Sequence, residues 1–139
     1  MTVYFSSGLQ AAIYQTLKQD ATVSDLVGEA VFDAPPEGVS GELPREFVSL
    51  GAETVRPLST KTSRGSVHDF VVSVHSERNG FEAVKDVAGA VCECLTAAEL
   101  QLPRGTLVDL RFLRARASRG MAPEKRRIDL RFRATIDED

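Results

Sequence analysis

The stretch VVSVHSERNGFEAVKDVAGAVCECL contains one of the two histidines of the chain and both cysteines, side chains that can bind metals or act as nucleophiles. Successive residues of a helix advance by about 100°, so Cys92 and Cys94 point in nearly opposite directions and cannot share a metal or a disulfide. Cys92 lies nearer the apolar stripe and is predicted to be a small buried residue. His75 ends a predicted strand. The stretch is interpreted as a strand–helix joint with a structural His75; metal binding or acid–base chemistry is the alternative.

The other candidate motifs do not form a catalytic arrangement. His68 and Asp69 are adjacent in a predicted strand and therefore face opposite ways, which is wrong for a relay in which one orients the other. No glycine-rich loop follows a strand and opens a helix, as phosphate binding would require. The serine–glycine segments at 6–8 and 118–120 are interpreted as turns or caps. The sequence predicts no enzyme activity, no cofactor and no metal site.

The composition is that of one globular domain. The chain has 139 residues, of which 42% are hydrophobic and 27% charged. Without a long apolar run, or a basic segment ahead of an apolar one, we expect neither a membrane span nor a signal peptide. Two cysteines and no secretion signal favour synthesis in a reducing, intracellular compartment.

Two helices and a short helical turn are predicted from apolar periodicity. One helix covers Ser7 to Leu17, and a short turn covers Val23 to Val27, capped by Asp20 or Thr22. The strongest signal is an apolar stripe with spacings of three and four, typical of an amphipathic helix. Its residues are Phe81, Val84, Ala88, Val91, Leu95 and Ala98.

Alternation predicts the strands. The segment RIDLRFRATID places Ile128, Leu130, Phe132, Ala134 and Ile136 on one face, and VHDFVVSVHSE does the same for Phe70, Val72 and Val74. In LVDLRFLRARAS the alternation slips by one residue, which predicts a β-bulge near Phe112–Leu113. Further strands are predicted at 30–33 and 45–55. The fold class is therefore α+β, a single domain with an antiparallel β-sheet and two main α-helices packed on one face.

Charge is unevenly distributed along the chain. Residues 104–139 carry a net charge of +4 and residues 1–103 a net charge of −7. The basic third has three interpretations: a solvated sheet face, an ionic surface for a protein partner, or a nucleic-acid surface. Interleaved acids and a lack of exposed aromatic residues argue against nucleic acid. The candidate partner-binding residues are Arg56, Lys61, Arg64, Arg111, Arg114, Arg116, Arg119, Lys125, Arg126, Arg131 and Arg133.

The order and spacing of these segments, from Leu9 to Asp137, resemble the tail-completion, or tail terminator, proteins of long-tailed phages and gene transfer agents. The resemblance rests on LQAAIYQTLKQDATVSDLVG, AVFDAPP, LPREFVSLGAE, the opening stretch with its preceding VHDF, and the two C-terminal strands. In many relatives a Trp-Ser pair stands where this chain has His75-Ser76.

The resemblance implies a virion protein made in the host cytoplasm. It would form a ring, expected to be hexameric, at the head-proximal end of the tail tube, where it stops tube polymerisation. It implies four partners: other copies of the chain, the tail tube protein, a head–tail connector or stopper protein, and DNA passing through the lumen without sequence-specific binding. A role as the stopper itself, or as a nucleic-acid-binding module, is the alternative.

Two segments are predicted to be ordered by a neighbouring copy. The polar arm at 56–66 has no apolar anchors, so it is read as an extended hairpin arm or a mobile loop that could add to a neighbour's sheet edge. The hairpin tip at 118–126 is expected to behave in the same way.

Overall fold

The computed structural model describes residues 4–33, 45–59, 64–77, 80–119 and 125–138. Within these ranges the chain forms three helices and five strands, where the sequence shows helical or alternating apolar patterns. The elements are α1 Tyr4–Gln19, α2 Ala21–Val27, β1 Val31–Phe32, β2 Glu46–Ser59, β3 Arg64–Ser76, α3 Glu82–Ala97, β4 Thr106–Ser118 and β5 Arg126–Asp137. No helix in these ranges is long and apolar enough to cross a membrane.

The five strands form one sheet in the order β1-β2-β3-β5-β4. The four long strands pair antiparallel, as predicted, whereas the two-residue β1 pairs parallel to β2. The predicted α+β class is thus confirmed, with a sheet that is mixed at one edge. Placing β5 between β3 and β4 puts the most regular apolar strand near the centre.

The core lies between one face of this sheet and the helices. Phe70, Val72 and Val74 of β3 are buried there, as is the predicted apolar face of β5. Leu9, Ile13 and Leu17 of α1 and the α3 stripe cover them. The predicted core faces of both strands are confirmed. We call the helix-covered side of the sheet the inner face and the opposite side the outer face.

The junction of α1, α2 and α3 corrects the assignment of the cysteines. Asp20 caps α2 by accepting a hydrogen bond from the Val23 backbone N–H at 3.0 Å. Cys94 belongs to the core and approaches the Thr16 carbonyl at 3.7 Å, whereas Cys92 is only half-buried. Cys92 was predicted to be the buried one, and that prediction is wrong because α1 packs on a second flank of α3.

Two irregularities shape β4. The predicted bulge is confirmed, since the register with β5 shifts between Phe112 and Arg114. A second shift, between Leu107 and Asp109, was missed. Val108 alternates with Leu110 and Phe112 in the sequence, which predicts one shared face, but the second shift takes Val108 out of their row, and its side chain is exposed.

The polar arm is largely strand. Its first part belongs to β2, which pairs with β3 as far as Ser59 and Arg64. Gly65 is needed because a Cβ there would lie 2.6 Å from the Ile136 carbonyl oxygen on β5. Residues 60–63 of the arm and 120–124 of the predicted tip lie outside the described residues, so the mobility of both segments stays a prediction.

Candidate functional site

The outer face of the sheet brings most of the predicted arginines together. The strand register places Arg111 directly opposite Arg133, and Arg114 directly opposite Arg131. Arg114 joins this face only because the bulge after Phe112 changes the side to which the chain points. Like charges opposite each other destabilise a strand pair. Two such pairs side by side are therefore unexpected on a merely solvated surface.

Several of these arginines are neutralised within the sheet. Arg133 makes a bidentate contact with Asp69, with nitrogen–oxygen distances of 2.7 and 3.0 Å. This hydrogen-bonded pairing holds the pKa of Asp69 below its usual value, helped by the charges of Arg133, Arg56 and Arg131. Arg111 donates to Asp109 at 2.8 Å. The acids interleaved with the arginines are thus already engaged.

A second engaged acid lies on the same face. Asp129 accepts hydrogen bonds from the Ser73 hydroxyl at 2.6 Å and from Arg127 at 2.8 Å. Burial acts to raise the pKa of Asp129, but these two hydrogen bonds and the charge of Arg127 outweigh it, so the pKa is lowered. The carboxylate is therefore fixed as an anion inside its own network.

Three exposed arginines have no such acid. The side chains of Arg114, Arg116 and Arg131 make no hydrogen bond or ion pair with any other residue in the described ranges. The positive charge of Arg131 helps to lower the pKa of Asp69, but both carboxylate oxygens of Asp69 are hydrogen-bonded to Arg133 and not to Arg131. We call these three residues the arginine patch. It is a cluster of cationic groups on the outer face that a partner could reach.

The other predicted surface residues lie apart from the patch. Lys125 pairs with Glu77 at 3.1 Å, and the Arg126 guanidinium lies 5.3 Å from the centre of the Phe81 ring. Arg56 and Arg64 are exposed on the arm, and Arg119 is exposed just after β4. Lys61 lies outside the described residues. The predicted set is therefore several local environments rather than one continuous site.

His75 lies on the outer face beside the patch. Its ring stacks on Phe47, with centroids 4.4 Å apart, and its Nε2 lies 3.1 Å from the Ser49 hydroxyl. Phe32 extends this cluster, and Phe47 and Ser73 beneath it are buried. The outer face is thus partly covered near β1 and open toward β4. The contacts of His75 are those of a packed structural residue.

We expect His75 to stay neutral well below pH 6. Burial, helped by the charges of Arg127 and Lys125 and opposed by that of Asp129, lowers its pKa from 6.5 to about 4. Between these values the unfolded chain binds a proton that the folded chain does not, so this contribution to stability falls as the pH drops from about 6.5 to about 4. An NMR titration of the two imidazoles measures this directly. A midpoint near 6.5 for His75 would contradict it.

The structure also forms a relay that sequence reasoning missed. The His68 ring lies 2.8 Å from the Ser66 hydroxyl through Nε2 and 2.9 Å from the Glu53 carboxylate through Nδ1. This is the connectivity of a serine–histidine–acid triad. Ser66 and His68 are fully buried on the inner face, so a substrate cannot reach the hydroxyl. The Ser-x-His spacing in one strand was the available signal, but Glu53 comes from another strand.

Neither cysteine is poised as a nucleophile. Burial raises the pKa of Cys92, and burial together with Asp20 raises that of Cys94 to about 12, so both remain thiols. Within the described residues, no group of three or more His, Cys, Asp or Glu side chains is arranged to hold a metal ion.

Strand β4 also has an open backbone edge and exposed apolar side chains, in addition to its exposed arginines. It lies at the edge of the sheet, with β5 on one side only. Of the five large hydrophobic side chains that are exposed among the described residues, three belong to it: Val108, Phe112 and Leu113. Helix α3 also contacts β4, where Leu107 and Leu110 pack against the core, but Phe112 farther along the inner face stays exposed. Long edge strands with exposed apolar residues tend to pair or dock.

The helical layer carries the opposite charge. An open groove of about 920 Å³ runs between α3 and the junction of α1 with α2. Its small residues include Gly89, Ala90, Ala97 and Ala98, and its lining includes the carboxylates of Asp20, Asp86, Glu93 and Glu99 with one cation, Lys85. The molecule thus has a basic face on the sheet and an acidic groove on the helices.

Comparison with known proteins agrees with the resemblance seen in the sequence. The family model described as tail completion protein gp17 matches residues 11–137. A chain in a solved structure, the virion of a native gene transfer agent particle, is 49% identical; the match covers 96% of this chain and 97% of that one, with a TM-score of 0.87. No curated protein matches. Both matches support a structural protein of a virion tail, and the chain belongs to the tail completion protein gp17 family.

Proposed function

We propose that this protein forms a closed ring at the head-proximal end of a tail tube, where it ends tube polymerisation and joins the tail to the head connector. The family and the similarity to a chain of a gene transfer agent virion support a structural role in a tail. The ring and its role in ending the tube are what we propose beyond that structural role. On this proposal the protein carries out no catalysis.

The main observation behind the proposal is that strand β4 exposes its edge and many of its side chains. This thirteen-residue strand has an open backbone edge, exposed apolar side chains and unpaired arginines. Leaving all three to water in the working protein would invite uncontrolled pairing. A permanent partner that covers β4 is the simpler arrangement.

A ring needs a heterologous contact, in which one surface of each subunit meets a different surface of the next. The basic sheet face and the acidic helical layer are two such unlike surfaces. A hexamer is the number that the family resemblance suggests. The tube protein and the connector would then bind the two ends of the ring, and DNA would pass through the hole without sequence-specific binding.

Native mass spectrometry of the purified protein tests the proposal. We expect closed rings of one defined size, namely hexamers, at micromolar concentration. Hydrogen exchange of the same samples should show faster exchange at residues 56–59 in dilute monomer than in the ring, because the edge of the arm becomes covered. A protein that remains monomeric at all concentrations and caps no tubes would contradict the proposed function.

A further inference from the structure

The arginine patch requires anions that its own sheet does not provide. Arg114 and Arg131 lie directly across from each other, and Arg116 follows two residues along β4 on the same face. The nearest acids of that face, Asp69, Asp109 and Asp129, are bonded to other groups. The like-charge pair is destabilising in the isolated chain. A binding partner with carboxylates or phosphates would reverse that cost.

Carboxylates of the required kind lie on the helical layer of the same chain. Asp86, Glu93 and Glu99 are exposed along the groove, and their side chains make no ion pair or hydrogen bond with another described residue. Asp86 and Glu93 are seven residues apart, so they lie on one side of α3, roughly 10 Å apart. Gly89, which has no side chain, and Ala90, which has only a methyl group, lie between them along α3 and let a partner approach closely.

We propose that the arginine patch of one protomer binds the carboxylates of this groove on the next protomer. Patch and groove lie on opposite layers of the fold, so one molecule cannot join them to each other. The contact must be between copies, and its two halves differ, as a ring requires. This inference rests on the proposed ring and assigns its interface.

Charge favours a protein carboxylate over nucleic acid as the partner. The whole chain carries a net charge of −3, and its basic groups outside the patch are largely paired or scattered. A duplex held by three arginines would be repelled by the acidic remainder. The acidic groove has the opposite charge to the patch, and every copy of the chain contains one.

A charge-reversal cycle on the full-length protein tests the contact. Arg114→Glu with Arg116→Glu should weaken ring formation about tenfold or more, and Asp86→Arg with Glu93→Arg should do the same. All four changes in one chain should restore much of the loss. The loss should be greater at low than at high salt, because ion pairs at the rim of an interface are screened.

Matched controls separate this contact from a general effect of charge. Arg45→Glu and Asp25→Arg each reverse one charge, of either sign, at exposed positions outside patch and groove and should leave rings intact, and the single variants Arg114→Glu and Glu93→Arg are compared with them. Circular dichroism confirms that each variant folds.

Different outcomes separate the inference from the proposed function. Intact rings in both reversed pairs, or no rescue in the fourfold variant, would overturn the assigned contact and leave the ring standing. Unchanged rings with lost, salt-dependent binding of duplex DNA would assign the patch to phosphates instead. A wild-type protein that never forms rings would remove the proposed function itself.

Discussion

Replacing Phe132 with alanine is expected to lower the free energy of unfolding by about 3–5 kcal/mol. Phe132 is fully buried at the centre of the inner face. Its ring stacks on Phe70, with centroids 5.5 Å apart, and meets the edge of Phe112 at 5.8 Å. The truncation removes both ring contacts and leaves a cavity that β3 and β5, hydrogen-bonded along their whole length, cannot close. Urea unfolding followed by circular dichroism measures the loss.

The matched control is Phe112→Ala, the same change on the neighbouring strand. Phe112 is 40% exposed, so its truncation should cost the monomer only about 1–2 kcal/mol while weakening ring formation. If the two variants lost equal stability, the helices would have to cover β4 as fully as β5. The described burial pattern would then be wrong.

Replacing His68 with alanine is expected to cost about 2–4 kcal/mol. The change deletes a fully buried ring and leaves the Ser66 hydroxyl and the Glu53 carboxylate without their shared partner. Glu53 is partly exposed and can turn toward water, whereas Ser66 cannot. The loss therefore comes mainly from the cavity and the stranded hydroxyl. Thermal and urea unfolding report it.

Two milder variants identify the source of this effect. Glu53→Gln keeps the shape and a hydrogen-bonding oxygen, and Ser66→Ala removes one hydroxyl; each should cost about 1 kcal/mol. A cost in Glu53→Gln as large as that in His68→Ala would instead mean that a full ion pair holds the arm. Because the network links β2 to β3 at the base of the arm, it explains why two polar residues occupy the inner face there.

The His68 network also shows why side-chain connectivity alone does not make an enzyme. Its order of serine, histidine and acid is that of a hydrolase, yet the serine is fully buried. Catalysis needs a nucleophile that a substrate can reach and donors placed for the developing charge. Here the same three groups serve a strand pair in the interior. The features that face outward are charged and apolar surfaces, which suit assembly.

The sequence by itself determined the elements and their faces. The period of three and four in α3, the alternation in β5 and the slip in β4 are properties of neighbouring residues, so they could be read without knowing what packs against them. They led to the α+β class, the core residues and the bulge at Phe112. The order of the segments was enough to identify the tail-completion family.

Only the tertiary structure decided which residues meet. Asp69 reaches Arg133 from 64 positions away, and Glu53 reaches His68 from 15 positions away, because β3 lies between β2 and β5. The burial of Cys94 rather than Cys92 depends on α1, and the Arg114–Arg131 pair depends on the register after a bulge. Such contacts depend on strand order and register, which are set by how the whole sheet buries its apolar residues. The spacing of neighbouring residues does not determine them.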